Sequence, residues 1–77
     1  MDNMQLFKTS LGRRIAFLRD RKRLTQPQLA SLINKDFQSL SRIENGHVNA
    51  SAYIIKQIAD ALEVSMNEVF DFTEFKE

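Results

Sequence analysis

Gln38, Ser39, Ser41 and Arg42 lie within five residues of one another, and their types suit hydrogen bonding to the edges of nucleic-acid bases. A glutamine amide can pair with adenine through two bonds. An arginine guanidinium can do the same with guanine, and serine is short enough to allow close approach. Phe37, just before them, either meets a thymine methyl or folds back into the core at the turn, and both readings stand. Taken alone, the same stretch is equally an ordinary polar helix face. Other chemistry has little material. The chain has a single histidine, His47, and no cysteine, so no disulfide or thiolate metal site can form. His47 has no companions for a metal site or a catalytic triad and reads as a loop residue. Acid–base and nucleophilic catalysis need positioned partner groups; the serines are scattered, no glycine-rich phosphate loop is present, and Asp60 with Glu63 reads as helix surface. The expectation is a non-enzyme with no cofactor and no metal.

These side chains need a scaffold, and apolar residues recur at helical spacing along the chain. Leu11, Ile15 and Leu18 mark one face of a first helix, which begins at Ser10 or earlier and ends near Arg21-Lys22-Arg23, cations that suit a helix C-terminus. Phe17 falls beside that face. Thr25 and Gln28 form a capping box with Pro27 inside the first turn, so a second helix starts there. Leu29, Ala30 and either Leu32 or Ile33 face inward, and Asn34 falls where a turn tolerant of left-handed backbone is needed. Asp36 caps a third helix with Leu40 and Ile43 inward and Gly46 closing it. Ser51 or Asn49 caps a fourth, with Ile54 or Ile55, then Ile58 and Leu62, inward. Ser65 and Glu68 form a second capping box, opening a fifth helix with Val69 and Phe70. The spacing predicts five short helices and no strand, except for the tail Phe70 to Phe75. Thr25 to Asn45 is a helix-turn-helix candidate.

The 77 residues suggest one domain, 1–77, with the helix-turn-helix at about 25–45 and a short tail at about 71–77. Met1 to Arg42 holds nine Lys/Arg against three Asp, +6; Ile43 to Glu77 holds two Lys against seven acids, −5, giving the overall +1. That asymmetry suggests a basic face for phosphates and an acidic pole away from it. The longest apolar run, Ala52-Tyr53-Ile54-Ile55, cannot span a bilayer, and no secretory signal is visible. The expectation is a cytoplasmic protein with no membrane partner.

Thr25-Gln26, Leu29-Ala30 and Ser41-Arg42-Ile43-Glu44-Asn45-Gly46, at this spacing, resemble the lambda/Cro-type (XRE-like) helix-turn-helix regulators, a family that includes restriction–modification controller proteins. Ile58-Ala59-Asp60-Ala61-Leu62-Glu63-Val64-Ser65 resembles that family's junction between fourth and fifth helices, so the likeness runs from about Leu11 to Phe70. It implies an all-α, compact five-helix lambda-repressor-like DNA-binding domain and a sequence-specific regulator of transcription. By the same resemblance Phe37, Gln38, Ser39, Ser41 and Arg42 match the groove-facing surface of the recognition helix. Gln26, Asn45 and His47 match positions that approach phosphate, while Arg19 and Glu44 match an ion pair between the first and third helices. Several positions depart from the family. Asn34 stands where Gly is common, Lys35 where a small apolar residue is usual (leaving its ammonium near a phosphate), and Ala50 where Pro is frequent.

The implied partner is double-stranded DNA with a pseudo-palindromic operator, because one recognition helix covers few base pairs and family members commonly pair. A homodimer is therefore expected through the C-terminal third, with Met66, Val69, Phe72 and Phe75 as interface candidates and Phe70 in the core. The competing reading folds Phe72 and Phe75 back on Phe17. The alternative function is an antitoxin that holds a toxin partner and regulates its own operon.

Overall fold

Each helix starts from a short polar side chain that accepts a hydrogen bond from the backbone amide three residues on. Asp2 accepts from Gln5, Thr25 from Gln28, Asp36 from Ser39, Ser51 from Ile54 and Ser65 from Glu68. Such a cap satisfies an otherwise orphaned N–H and stabilises a helix by about 1 kcal/mol. In the computed structural model, which describes residues 2–73, these caps open α1 (Asn3–Arg21), α2 (Gln26–Leu32), α3 (Phe37–Glu44), α4 (Ala52–Leu62) and α5 (Met66–Val69). Both capping boxes are complete, at Thr25/Gln28 and Ser65/Glu68.

No strand occurs among the described residues. The tail expected to be extended from Phe70 is turn and irregular chain through Phe72. The first helix starts well before Ser10. Its extra N-terminal turns leave Met4 and Leu6 more than half exposed and Phe7 38% exposed, so no buried stripe announces them.

Leu11, Ile15 and Leu18 from α1 meet Leu29, Ala30 and Ile33, then Leu40 and Ile43 of α3, and Ile55, Ile58, Leu62 and Val69 from the last two helices. Leu32 is left 60% exposed, which assigns the inward position to Ile33. Burying such a side chain stabilises by about 1.5 to 3 kcal/mol each. The core therefore holds α2 to α5, each too short to persist alone, against the longer α1. Asn34 adopts φ +59° between α2 and α3. That left-handed residue, not a glycine, reverses the chain, and the amide of Lys35 returns to the carbonyl of Ala30 at 2.9 Å.

Two features of α1 fix where α3 lies. A Cβ on Gly12 would sit 2.4 Å from the carbonyl oxygen of Glu44 and 2.5 Å from that of Ile43. The two backbones therefore approach as closely as only a glycine allows. About two helical turns earlier the Gln5 amide donates to the Gly46 carbonyl at 3.1 Å, tying the start of α1 to the residue that closes α3.

Candidate nucleic-acid interface

The third helix buries Leu40, Ile43 and Glu44. At 100° per residue the opposite face carries Gln38, Ser41, Arg42 and Asn45, with Phe37 and Ser39 on its two flanks. Gln38, Ser39 and Arg42 are exposed and Ser41 is half-buried. Phe37 is 48% exposed, so its ring is not folded into the core. The Asn45 amide donates to the Ser41 hydroxyl at 3.2 Å, which links the two across one turn of the outward face. Eight residues at 1.5 Å rise make α3 about 12 Å long, close to the width of a major groove.

Around this face stand Lys35, exposed in the turn before α3, and His47, exposed just after it. The His47 amide donates to the Arg42 carbonyl at 2.9 Å and keeps the loop close to the helix end. Lys35, Ser39 and Arg42 also rim a shallow cleft of about 260 Å³ floored by Ile33, Leu40, Ile43, Val48 and Ile54. The Asp36 cap lies beside these cations. Hydrogen bonds from Ser39, side chain first and backbone amide second, hold its carboxyl below the usual aspartate range, with Lys35 and Arg42 adding smaller contributions.

Beneath the helix is a buried polar node. Arg19 Nε donates to Glu44 Oε2 at 2.7 Å and Arg19 Nη2 to Glu44 Oε1 at 3.1 Å. The pair is bidentate, with side chains only 13% and 4% exposed. The bond to Glu44 raises the Arg19 pKa further, against the opposing effect of burial. Arg19 Nη1 reaches the Leu24 carbonyl at 2.7 Å, so one guanidinium joins α1, the chain entering α2, and the end of α3. The Gln26 amide completes the node by donating to Glu44 Oε1 at 2.8 Å. The residue matched by resemblance to a phosphate contact thus already spends one N–H inside the protein.

The charge asymmetry seen along the sequence is partly folded onto itself. Arg14, counted there among the face cations, is 1% exposed. Its Nε donates to the Glu68 carbonyl at 2.7 Å and its guanidinium lies 5.4 Å above the Phe17 ring. Lys22 pairs with Glu63, whose carboxyl is lowered by that hydrogen bond, and Arg21 lies 3.6 Å from Glu68. Basic α1 therefore packs against the acidic C-terminal helices, because opposite charges brought together by the core offset one another. Asp71 is likewise lowered, chiefly by its hydrogen bonds with Thr73.

The proposed C-terminal interface needs correction. Val69 is fully buried and belongs to the core, so it cannot face a second chain. Met66 is half-buried against that core. Phe70, expected inside, is 39% exposed: it follows the four-residue α5 as its C-cap and turns one position past Val69. Phe72 packs edge-on against Phe7, with ring centroids 6.2 Å apart, and Phe7 stacks on Phe70 at the same separation. Its contact is thus with Phe7, a residue that sequence periodicity did not single out. Phe75 lies outside the described residues. Gly12, Arg14, Gln5 and Phe7 escaped the sequence reading; only Gly12 carried a signal, as a glycine inside an otherwise good helix.

Two helices joined by a tight turn, the second with a polar outward face, define a DNA-binding domain of the transcription-regulator class. The family described as helix-turn-helix matches residues 15–69, and the chain belongs to it. The competence pilus inhibition repressor of Acinetobacter baylyi is 35% identical over 60 residues, which are 78% of this chain and 54% of that protein. The chain thus spans about half the length of that curated relative. Among solved structures, the restriction-modification controller protein C.AhdI from Aeromonas hydrophila superposes with a TM-score of 0.85 at 30% identity, covering 90% of this chain and all of that one. The clp gene regulator ClgR from C. glutamicum shares the fold, with a TM-score of 0.83 at 24% identity over 86% of this chain and 85% of its own.

Proposed function

We infer that the protein is a sequence-specific regulator of transcription that binds duplex DNA by placing α3 in the major groove, and that it acts by binding rather than catalysis. The observation that carries this reading is the division of α3: Leu40, Ile43 and Glu44 are buried, while Gln38 and Arg42 stand outward, with no side-chain hydrogen bond or ion pair among the described residues. Both have the geometry for two-bond pairing with a purine, Gln38 with adenine and Arg42 with guanine. Ser39 and Ser41 lie close enough for short contacts, and exposed Phe37 suits a thymine methyl at the head of the helix. Gln26, Lys35, Asn45 and His47 suit phosphate, fixing register rather than sequence. The controller and repressor roles in the names of the relatives agree with this reading.

One eight-residue helix reads few base pairs, so a twofold homodimer on a pseudo-palindromic operator completes the proposal, with recognition helices about 34 Å apart. Its interface uses the Phe7, Phe70 and Phe72 patch. Phe7 lies about 140° around α1 from Gly12, and Gly12 faces α3, so the patch and the reading face occupy different sides. A duplex target places the protein in the cytoplasm. Among the described residues no helix is long and apolar enough to cross a membrane.

Selection from random duplexes tests the reading. A motif of two related half-sites should be enriched, with affinity falling steeply as salt rises. Equal, weak binding to every duplex overturns it.

A further inference from the structure

We propose that Glu44 is a positioning residue for DNA binding: its buried carboxylate, clamped by Arg19, orients the Gln26 amide so that a single N–H is presented to phosphate. The proposal rests on the regulator reading above and deepens it.

A carboxylate can only accept hydrogen bonds, whereas an amide can donate or accept. Glu44 Oε1 receives the Gln26 amide nitrogen at 2.8 Å, so the nitrogen side of that amide must face inward. The flip of the amide is therefore dictated by chemistry. Glu44 itself has little freedom, because Arg19 holds both of its oxygens, at 2.7 and 3.1 Å, and the carboxylate is 4% exposed. Gln26 is half-buried and is the first residue of α2, capped by Thr25. One amide hydrogen is fixed on Glu44, and the other has no partner among the described residues. This spare donor stands on the first residue of α2. The same carboxylate belongs to the last residue of α3. The element that reads bases and the group that grips the backbone therefore share one rigid node, and a shift of either moves the other.

The node predicts non-additivity. In Glu44→Gln the side chain at 44 can donate as well as accept, so Gln26 is no longer forced into one orientation. Affinity for the selected duplex should fall roughly three- to tenfold, the range carried by one net hydrogen bond, with base preferences unchanged. In the Gln26→Met background the same Glu44→Gln change should have almost no further effect on affinity. Thermal melts of all four proteins, with binding measured well below every midpoint, separate this from lost stability. Equal losses from Glu44→Gln in both backgrounds would make Glu44 merely structural and overturn the proposal. If Glu44→Gln does not fold, the side-chain amide protons of wild-type Gln26 decide by NMR. One should stay at its hydrogen-bonded shift throughout a titration with the duplex while the other moves. Both moving, or neither, overturns the proposal. A wild-type protein that selects no motif sinks the regulator reading itself, an outcome distinct from both.

Discussion

Replacing Gly12 by Ala sets two effects of opposite sign against each other. Gly12 lies in the interior of α1, where alanine is favoured over glycine by about 1 kcal/mol through helix propensity. Against this, the new Cβ would sit 2.4 Å from the Glu44 carbonyl oxygen and 2.7 Å from its carbonyl carbon. Real Cβ atoms essentially never come within 3.0 Å, so the helices must separate by at least 3.0 − 2.4 = 0.6 Å. The obstacle is backbone, which cannot rotate away as a side-chain tip can. Overpacking of this kind costs about 1 to 3 kcal/mol. With carbonyl groups of two successive residues in the way the upper part of that range applies, leaving a net loss of about 1 to 2 kcal/mol after the propensity gain. For a domain this small the melting temperature should fall by about 4 to 16 °C. The displaced atoms carry Glu44, so the bidentate pair with Arg19 loosens as well. Thermal denaturation followed by circular dichroism measures the shift. A Gly12→Ala protein that melts higher than wild type, as propensity alone requires, would refute the close approach of α1 and α3.

Other consequences are as open to measurement. Arg19→Met strands the Glu44 carboxylate in a site where it is 4% exposed; removing one member of a buried pair should cost about 3 to 5 kcal/mol in denaturant unfolding, and a loss below about 1 kcal/mol would reduce the pair to surface rank. Asp36 has a folded-state pKa depressed first by its Ser39 side-chain bond, so its contribution is present above the unfolded aspartate value and disappears as pH falls through the lower folded one. NMR titration of its carboxyl should give a midpoint below that of an ordinary aspartate, and Asp36→Asn should keep the cap while removing this part of the acid response; an undepressed midpoint refutes it. Arg42→Ala and Gln38→Ala should each relax preference at one base pair, by about 1 to 3 kcal/mol, whereas a uniform loss across all duplexes would move either residue to the phosphate class. Sedimentation of Phe7→Ser/Phe72→Ser should show a weaker dimer than wild type; undiminished dimerisation places the interface elsewhere.

How much of this was legible beforehand follows from the range of each interaction. The sequence by itself determined where three helices begin, at Thr25, Asp36 and Ser65, and narrowed a fourth to Ser51 or Asn49, because a cap joins a side chain to an amide only three residues away. Thr25, Asp36, Ser51 and Ser65 each do so. It determined the turn at Asn34, a residue type that tolerates the left-handed backbone found there. It also marked Leu40 and Ile43 as the inner side of α3, since a helical period leaves the remaining polar residues outside. The Arg19–Glu44 pairing came from resemblance and from the awkwardness of an acid at a helix C-terminus, not from local pattern.

Tertiary structure alone decided the rest, because it turns on groups far apart in the chain. Arg14 looks like any surface cation until its Nε meets a carbonyl 54 residues away. Gln26 looks free to reach outward until Glu44, 18 residues on, takes one of its amide hydrogens. Val69 and Phe70 are neighbours of similar polarity, yet the first is fully buried and the second 39% exposed. A helix of four residues is too short for periodicity to separate them. Gly12 could be noticed in the sequence as a break in a good helix, but only the packed fold shows what it admits: the carbonyls that end α3, which no side chain larger than hydrogen leaves in place.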